Sequence, residues 1–181
     1  MLGLINKIMR QALIEDHGEA LWQQILSKQP DLSSNFDEFD QYPDSSTSAL
    51  VSQASEILGI PKEQLLVHLG QRWIELTSTG DYSDYYKIGG QDIFTFLSNL
   101  DHMHATMGKT FASLSPPSFE VDVQCEGLIH LVYKSCRPGL DAFVIGLLNG
   151  LTIYFDQPAD IQLLPKLSQP GKTVFAVKLK S

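Results

Sequence analysis

Apolar side chains recur along the first part of the chain at three- and four-residue steps, the mark of helices with one buried stripe. Leu4 or Ile5, Ile8, Ala12 and Leu13 make the first stripe, which stops at His17-Gly18, where glycine can take a left-handed cap. Leu21, Trp22, Ile25 and Leu26 form the inner face of a short second helix, with Trp22 read as core. Residues 30–45 are acidic and turn-rich and read as a tethered surface loop. Ser46 or Thr47 then caps a helix that turns Leu50, Val51, Ala54 and Ile57 inward and ends at Gly59. Pro61 opens the next, with Leu65, Leu66, Leu69, Trp73 and Leu76 on its apolar side and Gly70 leaving its backbone open to close approach. Residues 77–91 predict a loop with about one turn of structure, and Tyr82, Tyr85 and Tyr86 read as surface aromatics because no period organises them.

From Ile93 the stripe resumes through Leu97, Leu100, Met107 and Phe111, and His104 lies on it. At about 100° per residue, His102 points roughly 200° away, so the two imidazoles cannot share a metal from one helix. A buried imidazole needs partners for two ring nitrogens, and Leu100, Ala105 and Met107 offer none. Two readings stand: a core histidine bonded to a distant backbone carbonyl, or a ligand.

After Pro116 and Pro117 the period falls to two. Phe119, Val121, Val123 and Cys125 alternate with polar residues, Glu126 and Gly127 turn the chain, and residues 128–135 make a second strand. Tyr133, Ser135 and Arg137 are spaced by two, which places a phenol, a hydroxyl and a guanidinium side by side on one face. Such a set suits paired acids such as haem propionates better than a single phosphate; the alternative is a solvated strand face with one arginine. Pro138 sits at the start of a helix that buries Leu140, Phe143, Val144 and Leu147 and closes at Gly150. Residues 151–155, 161–164 and 173–179 read as strands that join the hairpin in an antiparallel sheet, giving an α+β class.

The 181 residues make one domain, able to bury about 70% of its unfolded surface and still keep a cofactor cavity. No run of about 18 apolar residues is present, so no membrane span is expected. The opening at Met1 has no basic segment followed by an apolar block, so a cytoplasmic chain without a signal peptide is expected. Thirteen basic against 21 acidic residues, a net charge of -8, disfavour nucleic acid and anionic membranes as partners. Cys125 and Cys136 read as reduced thiols, with no zinc site. Phosphate loops, a Ser-His-Asp order and a His-Glu-His helix pair are all missing, so no enzyme is expected.

Leu100-Asp101-His102-Met103-His104, then Pro117, then Tyr133-Lys134-Ser135-Cys136-Arg137 resemble the haem nitric oxide/oxygen binding (H-NOX) family. The opening Gly3-Leu4-Ile5-Asn6-Lys7-Ile8, the His17-Gly18-Glu19 turn with Trp22, and Leu69-Gly70-Gln71 with Trp73 look like its stand-alone bacterial and cyanobacterial members. The resemblance implies a helical half of about residues 1–60 and a mixed half of about 61–181, with a four-stranded antiparallel sheet, an inserted helix, and haem b buried between the halves. It implies His104 as the proximal iron ligand, Tyr133, Ser135 and Arg137 as a clasp on the propionates, Arg137 paired also with Asp44, and Pro117 as a wedge that distorts the macrocycle. Ile5, Trp73, Phe143 and Leu147 are expected to line the cofactor pocket, Trp73 either as a distal residue or as ordinary core.

Oxygen-binding members carry a distal tyrosine three residues before the glycine matched by Gly146, and here that position is Phe143. The resemblance therefore implies nitric oxide and carbon monoxide as ligands rather than oxygen. It also implies a shift of the His104 helix when nitric oxide weakens the bond opposite, and a separate reader such as a histidine kinase or a diguanylate cyclase. No metal beyond iron is expected. A haem enzyme is an alternative, though it needs a distal acid-base residue or a thiolate ligand; a haem-free adaptor using exposed His102 or His17 is another.

Overall fold

The helical stripes and the two-residue alternation both fold as their periods require. In a computed structural model describing residues 1–110 and 116–180, six helices lead: α1 (Gly3–His17), α2 (Glu19–Lys28), α3 (Asp44–Leu58), α4 (Lys62–Thr79), α5 (Ser83–Gly89) and α6 (Ile93–Thr110). The strands β1 (Ser118–Cys125) and β2 (Leu128–Lys134) follow, then α7 (Asp141–Tyr154), β3 (Ala159–Leu163) and β4 (Lys172–Leu179). All pairings are antiparallel in the order β1-β2-β4-β3. Gly127 turns the first hairpin with φ 75°, a conformation that glycine adopts without strain. Phe111 and the side chain of Met107, both placed on the α6 stripe, lie outside the described residues.

Four local expectations need correction. Residues 151–155 are not a strand: α7 runs on to Tyr154, because Leu151 continues the buried row of Val144 and Leu148. Gly150 does not close that helix; a Cβ there would sit 2.7 Å from the Ile74 side chain, so its smallness serves helix packing. Residues 77–91 are mostly helical, in the end of α4 and in α5, and Tyr86 is buried rather than on the surface. α3 starts at Asp44, and Thr47 is buried inside it, donating to Asn6 Oδ1 at 2.7 Å instead of capping the helix.

The helix that carries His104 is fixed at its start by two side chains. Asp92 accepts from the Thr95 backbone N–H at 2.8 Å, and Gln157 accepts from the Ile93 N–H at 2.8 Å, satisfying otherwise orphaned donors of the first turn. Behind this lie two hydrophobic clusters. One gathers α1, α2, α3 and the first half of α4; the other joins α6, α7 and the sheet. Trp73 and Leu147 pack against both.

α4 and α7 cross through glycines. A Cβ on Gly70 would collide with the Phe143 carbonyl oxygen, and one on Gly146 with the Val67 carbonyl oxygen. Gly146→Ala is therefore expected to force the helices apart, at about 1–3 kcal/mol of overpacking, visible as a lower urea midpoint. A midpoint equal to that of the parent chain would show that the crossing has slack.

Candidate functional site

The periodicity that placed His104 on the inner stripe of α6 also fixes its chemistry. The ring is half-buried, with Phe119 against it at 5.5 Å between centroids. Its Nδ1 lies 3.2 Å from the Pro117 carbonyl oxygen. A carbonyl can only accept, so Nδ1 carries the proton and Nε2 keeps its lone pair. Burial holds the imidazole below its ordinary pKa, only partly countered by the Pro117 carbonyl and Asp101. Because the folded value is depressed, the ring is neutral at neutral pH, and a proton competes for Nε2 only in more acidic solution.

Asp101, one turn back along α6, reaches the same strand entrance. Its Oδ1 accepts from the Phe119 N–H at 3.1 Å, and this bond is the main reason its carboxyl is held below the usual range. Its spacing of three from His104 puts both on the side of α6 facing β1. α6 is thus joined to residues 117–119 at two points.

Tyr133 is the only one of the three spaced donors that lies in a strand. β2 ends at Lys134, so Ser135 and Arg137 fall in the turn that follows, contrary to the single strand face expected. The turn has a local cause: the Arg137 N–H donates to Ser135 Oγ at 3.1 Å, bending the chain ahead of Pro138 and of Gly139 at φ 81°. The three side chains nevertheless share one cavity of about 350 Å³, which Asp141 and Thr173 also line. Tyr133 is buried, which pushes its phenol up, while the Ser135 hydroxyl acts on it in the opposite sense.

Arg137 Nε lies 3.1 Å from Asp44 Oδ2, the pairing expected. The Met1 amino group binds Asp44 Oδ1 at 2.7 Å, and this contact is the largest cause of the lowered Asp44 pKa. Asp44 opens α3, so its carboxylate ties the helical part of the fold to the turn after β2. Since its folded value is depressed, this tie holds at neutral pH and is lost as the pH falls through and below the usual aspartate range.

Ile5 and Leu147 are half-buried at the edge of the helical cluster, Phe143 is buried in α7, and Trp73 meets Phe143 edge-on with centroids 6.3 Å apart. The chemistry of the donor set fits a haem: a neutral imidazole whose Nε2 keeps its lone pair, a cation with two hydroxyls for acidic substituents, and the apolar side chains of Ile5, Trp73, Phe143 and Leu147. Cys125 and Cys136 are both unbridged and exposed. His17, His68 and His102 are exposed, and His68 pairs with Asp16 at 2.7 Å.

Residues 2–163 match the family model Haem-NO-binding. The fold is similar to an Fe(II) unliganded H-NOX protein from K. algicida, solved as a point mutant, with TM-score 0.83 and 20% identity over 100% of this chain and 97% of that one. It is likewise similar to an Fe(II) H-NOX protein from S. oneidensis, with TM-score 0.86, 19% identity and the same coverage. Soluble guanylate cyclase gcy-35 of Caenorhabditis elegans is 28% identical over 152 residues, which is 82% of this chain and 22% of the cyclase. The chain thus spans about a fifth of the length of the curated relatives it matches. With a family model that runs from the first helix into β3, and a fold shared along its whole length with solved H-NOX proteins, the chain belongs to the Haem-NO-binding (H-NOX) family.

Proposed function

We propose that this chain is a haem-based sensor of nitric oxide, without catalysis of its own, that passes its signal to another protein or domain. One observation carries the reading: the Pro117 carbonyl accepts a hydrogen bond from His104 Nδ1–H, which leaves Nε2 with its lone pair on the inner face of α6. When bound, haem b would supply a ferrous iron able to take a diatomic gas. His104 would ligate it, Arg137, Tyr133 and Ser135 would donate to its two propionates, and Pro117 would press on its face. Ile5, Trp73, Phe143 and Leu147 would exclude water around it. Nitric oxide and carbon monoxide are the proposed ligands.

The helical half (about 1–60) and the mixed half (about 61–181) act together as one domain in this reading. Freed from its ligand role, His104 would let α6 shift, and the two ties at residues 117–119 would carry that shift into β1. A histidine kinase, a diguanylate cyclase or a cyclase module is a suitable reader. Among the described residues no helix is long and apolar enough to cross a membrane, which is compatible with a cytoplasmic site of action.

The clasp orders its own mutants. Each charge-assisted bond to a propionate is worth roughly 1.5–3 kcal/mol, more than a neutral hydroxyl contributes, so Arg137→Ala should lose haem in dialysis faster than Ser135→Ala. The reverse order, or equal retention in both, would remove Arg137 from the clasp.

A further inference from the structure

A groove of about 800 Å³ runs behind α6, and none of the residues assigned to the haem lines it. Asn99, His102, Met103 and Thr106 form one wall, spaced by three and four residues over two turns, and at about 100° per residue this stripe points away from His104. α5 belongs to the same wall. The Asn99 side-chain amide donates to the Gly89 carbonyl at 2.9 Å, and a Cβ on Gly89 would sit 2.7 Å from the Phe96 ring, so α5 is locked onto α6. The facing wall comes from the helical half, through Leu2, Leu4, Glu38 and Phe39. Two backbone bonds, from the Leu4 N–H to the Glu38 oxygen at 3.0 Å and from the Gly3 N–H to the Asp40 oxygen at 2.8 Å, join that wall into one piece.

Of the seven large hydrophobic side chains exposed among the described residues, Phe39, Tyr85 and Ile88 all line this groove, Ile88 at 78% exposure. Single exposed apolar residues are ordinary on a protein surface, whereas three around one concavity mark a surface built to be covered. Tyr85 stacks on Tyr82, centroids 6.4 Å apart, so the wall is shaped before anything docks. Charge selects the occupant. Glu38 and Asp81 line the groove and no lysine or arginine does; Lys7, which binds Glu38 at 2.7 Å, lies outside the lining.

We propose that this groove docks a basic amphipathic helix of the partner that reads the gas signal, with apolar anchors against Phe39, Tyr85, Ile88 and Met103 and lysine or arginine facing Glu38 and Asp81. A helix fits because α5 and α6 present helical ridges and no sheet edge. The stripe from Asn99 to Thr106, about 10 Å long, matches anchors at i, i+3 or i+4, and i+7. The same two acids disfavour an anionic membrane surface. That the occupant reads gas rests on the proposed function: a shift of α6 carries α5 with it and leaves the Leu2–Phe39 wall behind, so the width of the groove, and with it the affinity for the helix, is coupled to the ligand on the haem.

The probe is a labelled synthetic helix of about four turns, with leucine at i, i+3, i+4 and i+7 and lysine on its flanks, titrated by fluorescence anisotropy into the full chain. It should bind, more weakly as salt rises, and a version with glutamate for every lysine should bind at least about tenfold less tightly. Ile88→Asp should weaken the lysine peptide by about tenfold or more, whereas Ile153→Asp, the same change at an exposed apolar residue of α7, should alter it little. Asp81→Lys should weaken the lysine peptide and strengthen the glutamate one. In the haem-loaded ferrous chain, nitric oxide should change the affinity for the lysine peptide by about fivefold or more. Equal binding of the two peptides, equal losses in Ile88→Asp and Ile153→Asp, or an affinity indifferent to nitric oxide in the loaded chain overturns the proposal. So does an Ile88→Asp effect confined to self-association in sedimentation or to binding of phosphatidylserine vesicles, which would give the face to a second copy or to a membrane. If the chain takes up no haem, the proposed function fails, and the peptide titration still decides whether the groove takes a basic helix.

Discussion

His104→Gly is expected to leave the protein folded and unable to retain haem, and added imidazole is expected to restore the absorption spectrum. Loss of an outer partner of a metal ligand already costs about 10–100-fold in metal affinity, so loss of the ligand itself should exceed that. Glycine inside a helix also costs roughly 1 kcal/mol, and His102→Gly carries the same backbone cost on the exposed side of α6. It is the matched control and should keep its haem. Imidazole should rescue only the first variant, because only there does a cavity replace a ring with a free Nε2. A His104→Gly protein whose ferrous spectrum is unchanged without imidazole would place the ligand elsewhere.

Phe143→Tyr is expected to convert the pocket into one that holds oxygen. Phe143 is buried on α7, near the Gly70–Gly146 crossing, where its backbone has no freedom to drift. A phenol hydroxyl added to that ring would offer a donor that phenylalanine cannot. At roughly 1.5–3 kcal/mol for such a bond, oxygen affinity should rise by about ten- to a hundredfold, while carbon monoxide affinity changes little. Gas titration of the ferrous variant decides it, and equal gains for both gases would point to a steric change instead.

Periodicity made most of this legible because the site rides on regular elements. His104 falls on the α6 stripe through its spacing from Ile93, Leu97 and Leu100, and the Glu126-Gly127 turn follows from turn chemistry alone. Residues 151–154 misled because Leu-Thr-Ile-Tyr has the composition of a strand, yet the row of Val144, Leu148 and Leu151 against the sheet keeps it helical. Tertiary packing outweighed local propensity there. Tyr86 was hidden for a related reason: α5 is seven residues long, too short to show a period, and its burial depends on Phe96 and Thr77 brought from other helices. Ser135 and Arg137 kept their neighbourhood but not their strand, since the Ser135 hydroxyl bends the chain one residue after β2 ends. The Asp44 to Arg137 pair, 93 residues apart in sequence, came only from the family resemblance.

The most direct test is the absorption spectrum of the purified ferrous, haem-loaded protein, recorded without added gas, under nitric oxide, and in air. The haem band should shift with nitric oxide and form no stable oxygen-dependent spectrum. A chain that takes up no haem, or a ferrous spectrum that changes stably and reversibly in air, would contradict it.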